Sequence, residues 1–151
     1  MKNMNAGLVI GILLIFAGIV VMLVSMSRPN TIEIQDGSLV ISGSYGMTLP
    51  TEEIKTVELL DTLPKITIRT NGIALGDTMI GHFRMKEIGS CRLHLNTGCP
   101  PFVHIVTKEG KHIFFNTKDA ARTRELFDAL NQKTVSKTDS QSNASPEYRR
   151  M

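Results

Sequence analysis

An uninterrupted apolar run near the N terminus constrains this chain more than any other feature. Residues 6–24 read AGLVIGILLIFAGIVVMLV, 19 residues without a charged or hydrogen-bonding side chain. As a helix, this run would extend about 28 Å, close to the thickness of the hydrocarbon core of a bilayer. A surface helix of a globular domain needs a polar face, which this run lacks. The sequence therefore predicts a transmembrane helix at 6–24, between a short flank at 1–5 and a linker at 25–30.

A cleaved secretory signal is the alternative interpretation of the same run. Lys2 supplies a short positive region, and Ser25-Met26-Ser27 is a poor small-x-small cleavage site. The run is longer than the usual signal core of about 7 to 15 residues, and it lacks an Ala-x-Ala site. A retained anchor is therefore favoured, which predicts a single-pass protein of the cell membrane. The slight charge bias from Lys2 favours the N terminus inside and the following domain outside.

The rest of the 151-residue chain has room for one domain with a modest core. The formal net charge of the chain is +3, but residues 31–132 carry 11 Lys/Arg against 12 Asp/Glu. The positive excess lies in the terminal segments, so no nucleic-acid partner is expected. From residue 133 onward the sequence is rich in Ser, Thr and Asn with few apolar residues. This composition predicts a disordered tail at 133–151.

Residues 31–132 show short alternating runs separated by turn formers, a pattern typical of antiparallel strands. Asp36-Gly37-Ser38 predicts a tight hairpin near the start. Eight such runs occur, at 31–34, 39–45, 55–61, 65–71, 81–86, 91–96, 101–108 and 112–116, and their near-regular spacing predicts a domain of about seven strands. No long helix interrupts them, so the fold class is expected to be mainly β, an antiparallel sandwich or barrel.

One C-terminal α-helix is predicted to close the domain. Asn116 or Thr117 is the expected N-cap, and Asp119 would lie in the first turn, where the helix dipole favours an acidic side chain. Along one face of this helix, residues recur at helical spacing: Thr123, Leu126, Phe127 and Leu130. The helix is expected to cover the sheet.

Three glycines, Gly72, Gly76 and Gly81, fall within ten residues. A P-loop needs Gly-x4-Gly-Lys-Ser/Thr between a strand and a helix, but His82 and Phe83 follow Gly81 and begin a predicted strand. The glycines are therefore expected to be structural, either turning the chain or allowing two strands to approach closely.

At this point the segments RTNGIALGDTMIGHFR, GSCRLHL, PPFVHIVTKEG and HIFFNTKDA resemble the bacterial pleckstrin-homology-like (PH-like) domains of membrane-attached proteins. The resemblance covers residues 31–132. It implies a curved seven-stranded antiparallel PH-like barrel capped by the C-terminal helix, and a binding or assembly module, not an enzyme. The loop at Asp36-Gly37-Ser38 is short and acidic where phosphoinositide-binding members carry a basic cluster. Phosphoinositide recognition is therefore not expected.

Strand alternation predicts a basic face on three sequential strands. The side chains expected to point outward are Lys65, Arg69, His82, Arg84, Lys86, Arg92 and His94. Of these, five form a candidate site for anionic lipid headgroups or an acidic protein partner: Lys65, Arg69, Arg84, Lys86 and Arg92. A solvated outer face, partly neutralised by Glu58 and Glu87, is the alternative. Val106 and Phe114 also fall on the outer phase and form a candidate apolar interface for a protein partner or self-association.

No catalytic, cofactor or metal site is expected. His82, His94 and His104 share the outward phase, but no carboxylate or cysteine clearly converges on them to complete a zinc or copper site. Cys91 and Cys99 fit neither a disulfide framework nor four-ligand zinc spacing, although they could pair in an oxidising compartment. A nucleophilic cysteine or serine would need an adjacent base and an orienting acid, for which the sequence has no signature.

The leading hypothesis is a non-enzymatic single-pass membrane protein that presents a PH-like domain for protein or lipid-headgroup contacts at the membrane surface. The alternative is a secreted or periplasmic enzyme or solute-binding protein with a cleaved signal segment.

Overall fold

The computed structural model describes the backbone of residues 6–26 and 31–142 and the side chains of residues 7, 9–22 and 31–135. The chain divides into two compact units, residues 1–30 and 31–151. In the first unit, α1 runs over Ala6–Met26, and its apolar side chains, such as Leu14 and Val21, are exposed. The predicted flank at 1–5 and most of the predicted linker lie outside the described residues.

No helix in the described part of the chain is long and apolar enough to span a membrane. This finding contradicts the transmembrane helix predicted at 6–24. The predicted single-pass localisation in the cell membrane fails with it.

Within residues 31–142, nine strands form two sheets. Sheet A has the order β1-β2-β3, and a 3-10 turn at Thr51–Glu53 leads from it to sheet B, which has the order β4-β8-β9-β7-β6-β5. The strands of sheet A are β1 (Ile32–Gln35), β2 (Ser38–Ile41) and β3 (Met47–Pro50). The strands of sheet B are β4 (Ile54–Leu60), β5 (Ile66–Leu75), β6 (Thr78–Met85), β7 (Gly89–Asn96), β8 (Phe102–Thr107) and β9 (His112–Phe115).

Neither sheet closes, so the predicted seven-stranded PH-like barrel is wrong. The edge strands β4 and β5 pair only with β8 and β6, respectively. The segment that joins β4 to β5 contains Pro64, which has no N–H to donate to a ladder. The expectation of a purely antiparallel sheet is also wrong, because β9 lies between β8 and β7 and runs parallel to β7.

Two bulges in β5 change which of its side chains share a face. The register with β6 shifts at Thr67 and again at Thr70, whose hydroxyls donate hydrogen bonds to the carbonyl oxygens of Arg84 and His82 at 2.8 and 2.9 Å. Each extra residue reverses the alternation of inward and outward side chains. Ile68, predicted to point inward, is consequently 54% exposed.

The three glycines shape the hairpin formed by β5 and β6. Gly72 and Gly81 stand opposite each other in the ladder. The φ angle of Gly81 is +118°, and a Cβ there would lie 2.5 Å from the carbonyl oxygen of Asn71. Gly76 lies in the turn between the strands. The close approach of two backbones leaves no room for a side chain at the Gly72–Gly81 pair.

Hydrophobic clusters cover both faces of sheet B. Adjacent residues of a strand point to opposite sides, so Phe114 and Phe115 belong to different clusters. The Phe115 cluster joins sheets A and B to the C-terminal helix and includes Ile41, Ile105, Ile113, Leu126 and Leu130. The Phe114 cluster includes Phe83, Cys91, Leu93, Leu95 and Phe102.

The C-terminal helix α2 runs over Ala120–Ser142 and packs against β4, the 3-10 turn and β8. The side chain of Asp119 caps it, because its Oδ1 accepts a hydrogen bond from the backbone N–H of Ala121 at 2.9 Å. The predicted caps, Asn116 and Thr117, lie before this turn.

The predicted disordered tail is wrong for residues 133–142, which continue α2. Extending an existing helix is far less costly than starting one, so a sequence of weak helix formers can follow a well-packed segment. Thr134 contributes a side-chain hydrogen bond to the carbonyl of Leu130 at 2.9 Å. Residues 143–151 lie outside the described residues.

Candidate functional site

A cleft of about 840 Å³ opens between β3 of sheet A and β6 and β7 of sheet B. The turn between β8 and β9, residues 108–111, forms one end. Apolar side chains such as Met47 and Leu49 line one wall, and polar side chains from sheet B line the other. The cleft lies at the border of the contact between sheet A and sheet B. It therefore forms only when the two sheets pack together.

Two of the described Lys/Arg residues line the cleft, of which Arg92 is half-buried and Lys111 is exposed. Arg92 Nη2 donates hydrogen bonds to the carbonyl oxygens of Tyr45 and Gly46 at 2.6 and 3.2 Å, which fixes the guanidinium under the loop between β2 and β3. Its Nε is buried and has no hydrogen-bond partner among the described residues. A buried donor that lacks an acceptor loses the hydrogen bonds it had in water, which costs free energy. A ligand with an acceptor atom in the cleft would restore a hydrogen bond to this N–H.

A row of polar side chains crosses sheet B at the level of Arg92. Asn71, His82 and Arg92 occupy directly opposed positions on β5, β6 and β7. Tyr45 reaches over this row from the loop between β2 and β3: its hydroxyl donates to Asn71 Oδ1 at 2.8 Å, and its ring meets His82 edge-on at 6.4 Å. These contacts hold the β2–β3 loop over the polar side chains of sheet B, which form the floor of the cleft.

The rim of the cleft carries exposed charges of both signs. Lys111 Nζ lies 2.6 Å from Glu109 Oε2, and both side chains are exposed. This hydrogen bond lowers the pKa of Glu109 and raises the pKa of Lys111. Glu53 is also an exposed lining residue. Exposed pairs of this kind are screened by water and contribute little, so the half-buried Arg92 dominates the field inside the cleft.

A hydrogen-bonded chain connects Glu58, His104 and His112 across β4, β8 and β9. His104 Nδ1 lies 3.2 Å from Glu58 Oε2, and His104 Nε2 lies 3.0 Å from His112 Nδ1. The His104 ring stacks on Phe114 with a centroid separation of 4.2 Å. Burial lowers the pKa of His104, while its hydrogen bond to Glu58 opposes that shift. His112, at the end of this chain, lines the cleft.

His94 is buried beside the cleft, although alternation predicted it to point outward. It lies on the same face as Arg92 and His82, but it is only 2% exposed and neither ring nitrogen has a described partner. Burial lowers the pKa of His94 to about 4, and the nearby Arg92 and His82 contribute to this shift. Burial therefore favours the neutral imidazole of His94 over its protonated form in the folded domain.

The cysteines are free thiols. Burial raises the pKa of the Cys91 thiol to about 11, and its Sγ contacts the carbonyl oxygen of Phe83 at 3.6 Å. A thiol with so high a pKa is a poor nucleophile near neutral pH. Among the described residues, no group of three or more His, Cys, Asp or Glu side chains is arranged to hold a metal ion.

The five basic residues of the predicted face do not form one site. Arg84 and Arg92 share a face of sheet B, but only Arg92 lines the cleft. The bulges in β5 place Arg69 on the opposite face, in register with Phe83. Lys65 and Lys86 lie exposed at the far end of the β5–β6 hairpin.

The predicted apolar interface is wrong for Phe114, which is fully buried. The alternation was read as if only one side of the sheet were covered, but sheet B has a cluster on each face. Val106 is half-buried, and its role in self-association or partner binding stays a prediction.

The sequence reasoning missed the parts of the site that depend on contacts between distant residues. Glu58 was read only as a neutralising charge, and Asn71 and Lys111 were not singled out. Tyr45 and Asn71 are 26 residues apart, and Glu58 and His104 are 46 apart. The one available signal was the set of four histidines in predicted strands, two of which belong to the Glu58–His104–His112 chain.

Comparisons with known proteins provide no relative for this chain. No family model, no curated protein and no solved structure matches it. The resemblance to bacterial PH-like domains therefore gains no support from them.

Proposed function

We propose that the domain that begins at Thr31 is a non-enzymatic binding module that takes up a phosphate-type oxyanion in the cleft. The observation that carries the proposal is the buried Nε–H of Arg92, which lines the cleft and lacks an acceptor. Hydrogen bonds in which one partner is charged are shorter and stronger than neutral ones, and a guanidinium suits the oxygens of a phosphate group.

The other polar groups of the cleft support an anionic ligand. The imidazole of His82, the amide of Asn71 and the hydroxyl of Ser90 line the same floor as Arg92 and can donate hydrogen bonds. The acidic side chains Glu53 and Glu109 lie at the exposed rim, where their repulsion is screened. An oxyanion at the floor would contact donors from three adjacent strands.

The absence of an activated nucleophile in the described cleft favours binding over the enzyme alternative. The thiol of Cys91 has a raised pKa and packs into the Phe114 cluster. Among the described residues, no hydrogen bond joins the free thiol of Cys99 to a histidine. A solute-binding role is compatible with the cleft, because the oxyanion can belong to a small molecule as well as to a lipid headgroup.

Isothermal titration of the full-length protein with inorganic phosphate tests the proposal. Arg92→Gln should weaken binding about tenfold or more, because a charge-assisted hydrogen bond in a half-buried site contributes about 1.5–3 kcal/mol. Lys111→Gln should weaken it only about two- to fivefold, because an exposed, paired charge contributes about 1 kcal/mol or less.

Two matched variants serve as controls. Arg84→Gln removes a cation from the same sheet face outside the cleft, and Lys108→Gln removes one from the same turn as Lys111. Both should bind phosphate like the unaltered protein. Equal losses in Arg84→Gln and Arg92→Gln, or no measurable phosphate binding, would refute the proposal.

A sedimentation assay distinguishes the two sources of the oxyanion. Retention on phosphatidylcholine vesicles that contain phosphatidic acid, above retention on pure phosphatidylcholine and lost in Arg92→Gln, identifies a lipid headgroup. Phosphate binding without such retention identifies a small soluble ligand. The comparison with neutral vesicles removes any contribution from the apolar side chains of α1.

A further inference from the structure

Within the described part of the chain, β3 is paired on one side only. Sheet A has the order β1-β2-β3, so β3 is an edge strand, and we call its unpaired side the free edge. Met47 and Leu49 pack in the Phe115 cluster, whereas the side chain of Thr48 is exposed on the opposite face of the strand. Thr48 nevertheless lines the cleft together with its two neighbours. The cleft is therefore bordered by the edge of β3 as well as by one of its faces.

The ladder between β2 and β3 determines which backbone groups point to the free edge. Thr51 donates its N–H to the carbonyl oxygen of Gly37 at 2.9 Å. In an antiparallel ladder, hydrogen-bonded pairs alternate with pairs whose N–H and C=O groups point away from the partner strand. Counted from the Gly37–Thr51 pair, Leu49 is bonded to β2. Thr48 therefore directs both its N–H and its C=O to the free edge.

Two observations agree with this assignment. Pro50 has the same phase as Thr48 and has no N–H, which suits an edge strand. The carbonyl oxygen of Gly46, two residues before Thr48, accepts a hydrogen bond from Arg92 Nη2 at 3.2 Å. The free edge of β3 therefore points to the side of the cleft that holds Arg92.

We propose that the cleft binds an extended phosphopeptide, which adds to sheet A as a fourth strand beside β3 and directs its phosphate at Arg92. This inference rests on the proposed function, because it names the molecule that carries the oxyanion. An unpaired strand edge offers N–H and C=O groups with which the backbone of a peptide can pair. The charges are complementary, because Arg92 and Lys111 line the cleft and a phosphate monoester is an anion.

The size of the cleft suits a short peptide segment. The four residues of β3 extend about 14 Å at the rise of a strand. The cleft volume of about 840 Å³ lies within the range of about 300–1,000 Å³ that is usual for ligand sites. A peptide of six to eight residues, with its ends in solvent, can therefore pair along the whole of β3.

The alternation of side chains determines where the phosphate belongs in the peptide. In an antiparallel added strand, the residue opposite Thr48 pairs with its N–H and C=O and points to the same face as Thr48, away from sheet B. The next peptide residue on either side points to sheet B, and its N–H points away from β3. A phosphoserine at such a position faces Arg92.

Isothermal titration of the full-length protein compares inorganic phosphate, N-acetyl-phosphoserine amide and the peptide acetyl-Thr-Val-Thr-phosphoserine-Thr-Val-Thr-amide. In this peptide the phosphoserine and the valines point into the cleft. The peptide should bind at least about tenfold more tightly than N-acetyl-phosphoserine amide, because each backbone hydrogen bond contributes a factor of about two to ten. The same peptide with serine in place of phosphoserine should bind at least about tenfold more weakly than the phosphopeptide, because it offers Arg92 no oxyanion.

Methylation of the peptide backbone tests whether the gain comes from strand pairing. The N–H groups of the two threonines beside the phosphoserine face β3, so methylating both should remove the gain. Methylating both valines, whose N–H groups point away from β3, should change the affinity by less than about twofold.

Replacement of Thr48 tests the same contact from the side of the protein. Thr48→Pro removes the N–H at the free edge and leaves the hydrogen bonds between β2 and β3 in place. It should lower the ratio of phosphopeptide affinity to phosphate affinity about fivefold. Thr48→Ala keeps the N–H and should leave that ratio unchanged, whereas Arg92→Gln should weaken both ligands.

The outcomes separate this inference from the proposed function. If phosphate binds through Arg92 but the peptide binds no more tightly than N-acetyl-phosphoserine amide, the inference is wrong and the proposed function stands. Equal losses for the two methylated peptides also overturn it. Retention on phosphatidic acid vesicles through Arg92, without a gain for the peptide, would identify a lipid headgroup as the occupant instead. If neither phosphate nor the phosphopeptide binds, both proposals are wrong.

Discussion

Single residues in this domain gain their properties from partners that are far away in the chain. Arg92 is fixed by carbonyls 46 and 47 residues earlier, and Asn116 holds the end of β7 through hydrogen bonds with Asn96 and Cys99. Only the closed tertiary structure brings these groups together. Replacing such a residue is therefore expected to affect the packing of the whole domain.

Replacing Gly81 tests whether the close approach of β5 and β6 leaves room for a side chain. Gly81→Ala should lower the free energy of unfolding by at least about 2 kcal/mol, because positive φ strains an alanine and the new Cβ would collide with the backbone at Asn71. Urea denaturation measures the change. Gly89→Ala is the matched control: its φ is +84° but a Cβ there meets nothing within 4 Å, so it should cost about 1 kcal/mol. Equal losses in the two variants would show that the close approach of β5 and β6 is not stabilising.

Single residues also show how much of the candidate site could be predicted from the sequence. The basic character of Arg92 and its position on a strand followed from the sequence, because alternation is a local property. The bulges at Thr67 and Thr70 have no unambiguous local signal, yet they moved Arg69 to the other face. The burial of Phe114 and His94 depends on which elements cover each face, which a single strand does not encode.

At the scale of secondary-structure elements, α2 shows which signals are reliable. The helical spacing of Thr123, Leu126, Phe127 and Leu130 predicted one buried face of α2. Thr123, Leu126 and Leu130 are buried, and Phe127 is half-buried against the Phe115 cluster. The cap was displaced by two or three residues, because Thr117, Asp119 and Thr123 form a connected set of hydrogen bonds before the first turn. Several candidate caps in succession cannot be ranked without that set.

The cap of α2 gives a prediction at this scale. Asp119→Ala should reduce the free energy of unfolding by about 1 kcal/mol, because the N–H of Ala121 loses its acceptor. Asp128→Ala, at an exposed position inside the same helix, should change it by less than about 0.5 kcal/mol. Thermal unfolding followed by circular dichroism compares the variants. A larger effect at Asp128 would exclude Asp119 as the cap.

At the scale of the whole molecule, local pairings were predictable and distant ones were not. The β1–β2 hairpin followed from Asp36-Gly37, and the β5–β6 hairpin followed from its glycines. Two other pairings could not be predicted: β4 pairs with β8, and β9 lies parallel to β7. The sequences of these strands do not indicate which strand each one pairs with. This is why the mainly β composition was found, whereas the predicted closed barrel was replaced by two open sheets.

His94 makes the stability of the whole domain depend on pH. Its folded-state pKa of about 4 lies below the ordinary value of 6.5, so in acid the unfolded chain binds a proton that the native protein excludes. Stability should therefore fall by roughly 3 kcal/mol as the pH decreases from about 6.5 to about 4. Burial of His104 should add to the same slope, because its pKa is lowered in the same direction.

Urea denaturation at several pH values measures this slope, and His94→Leu should remove most of it. Thr123→Val is the control, because Thr123 is fully buried but does not titrate: its replacement should shift the free energy of unfolding at every pH and leave the slope unchanged. The slope is the informative quantity, since it depends on proton binding and not on the stability lost through repacking. An unchanged slope in His94→Leu would mean that His94 accepts a proton without unfolding the domain. The acid sensitivity would then come from other groups, such as His104, whose pKa is also lowered by burial.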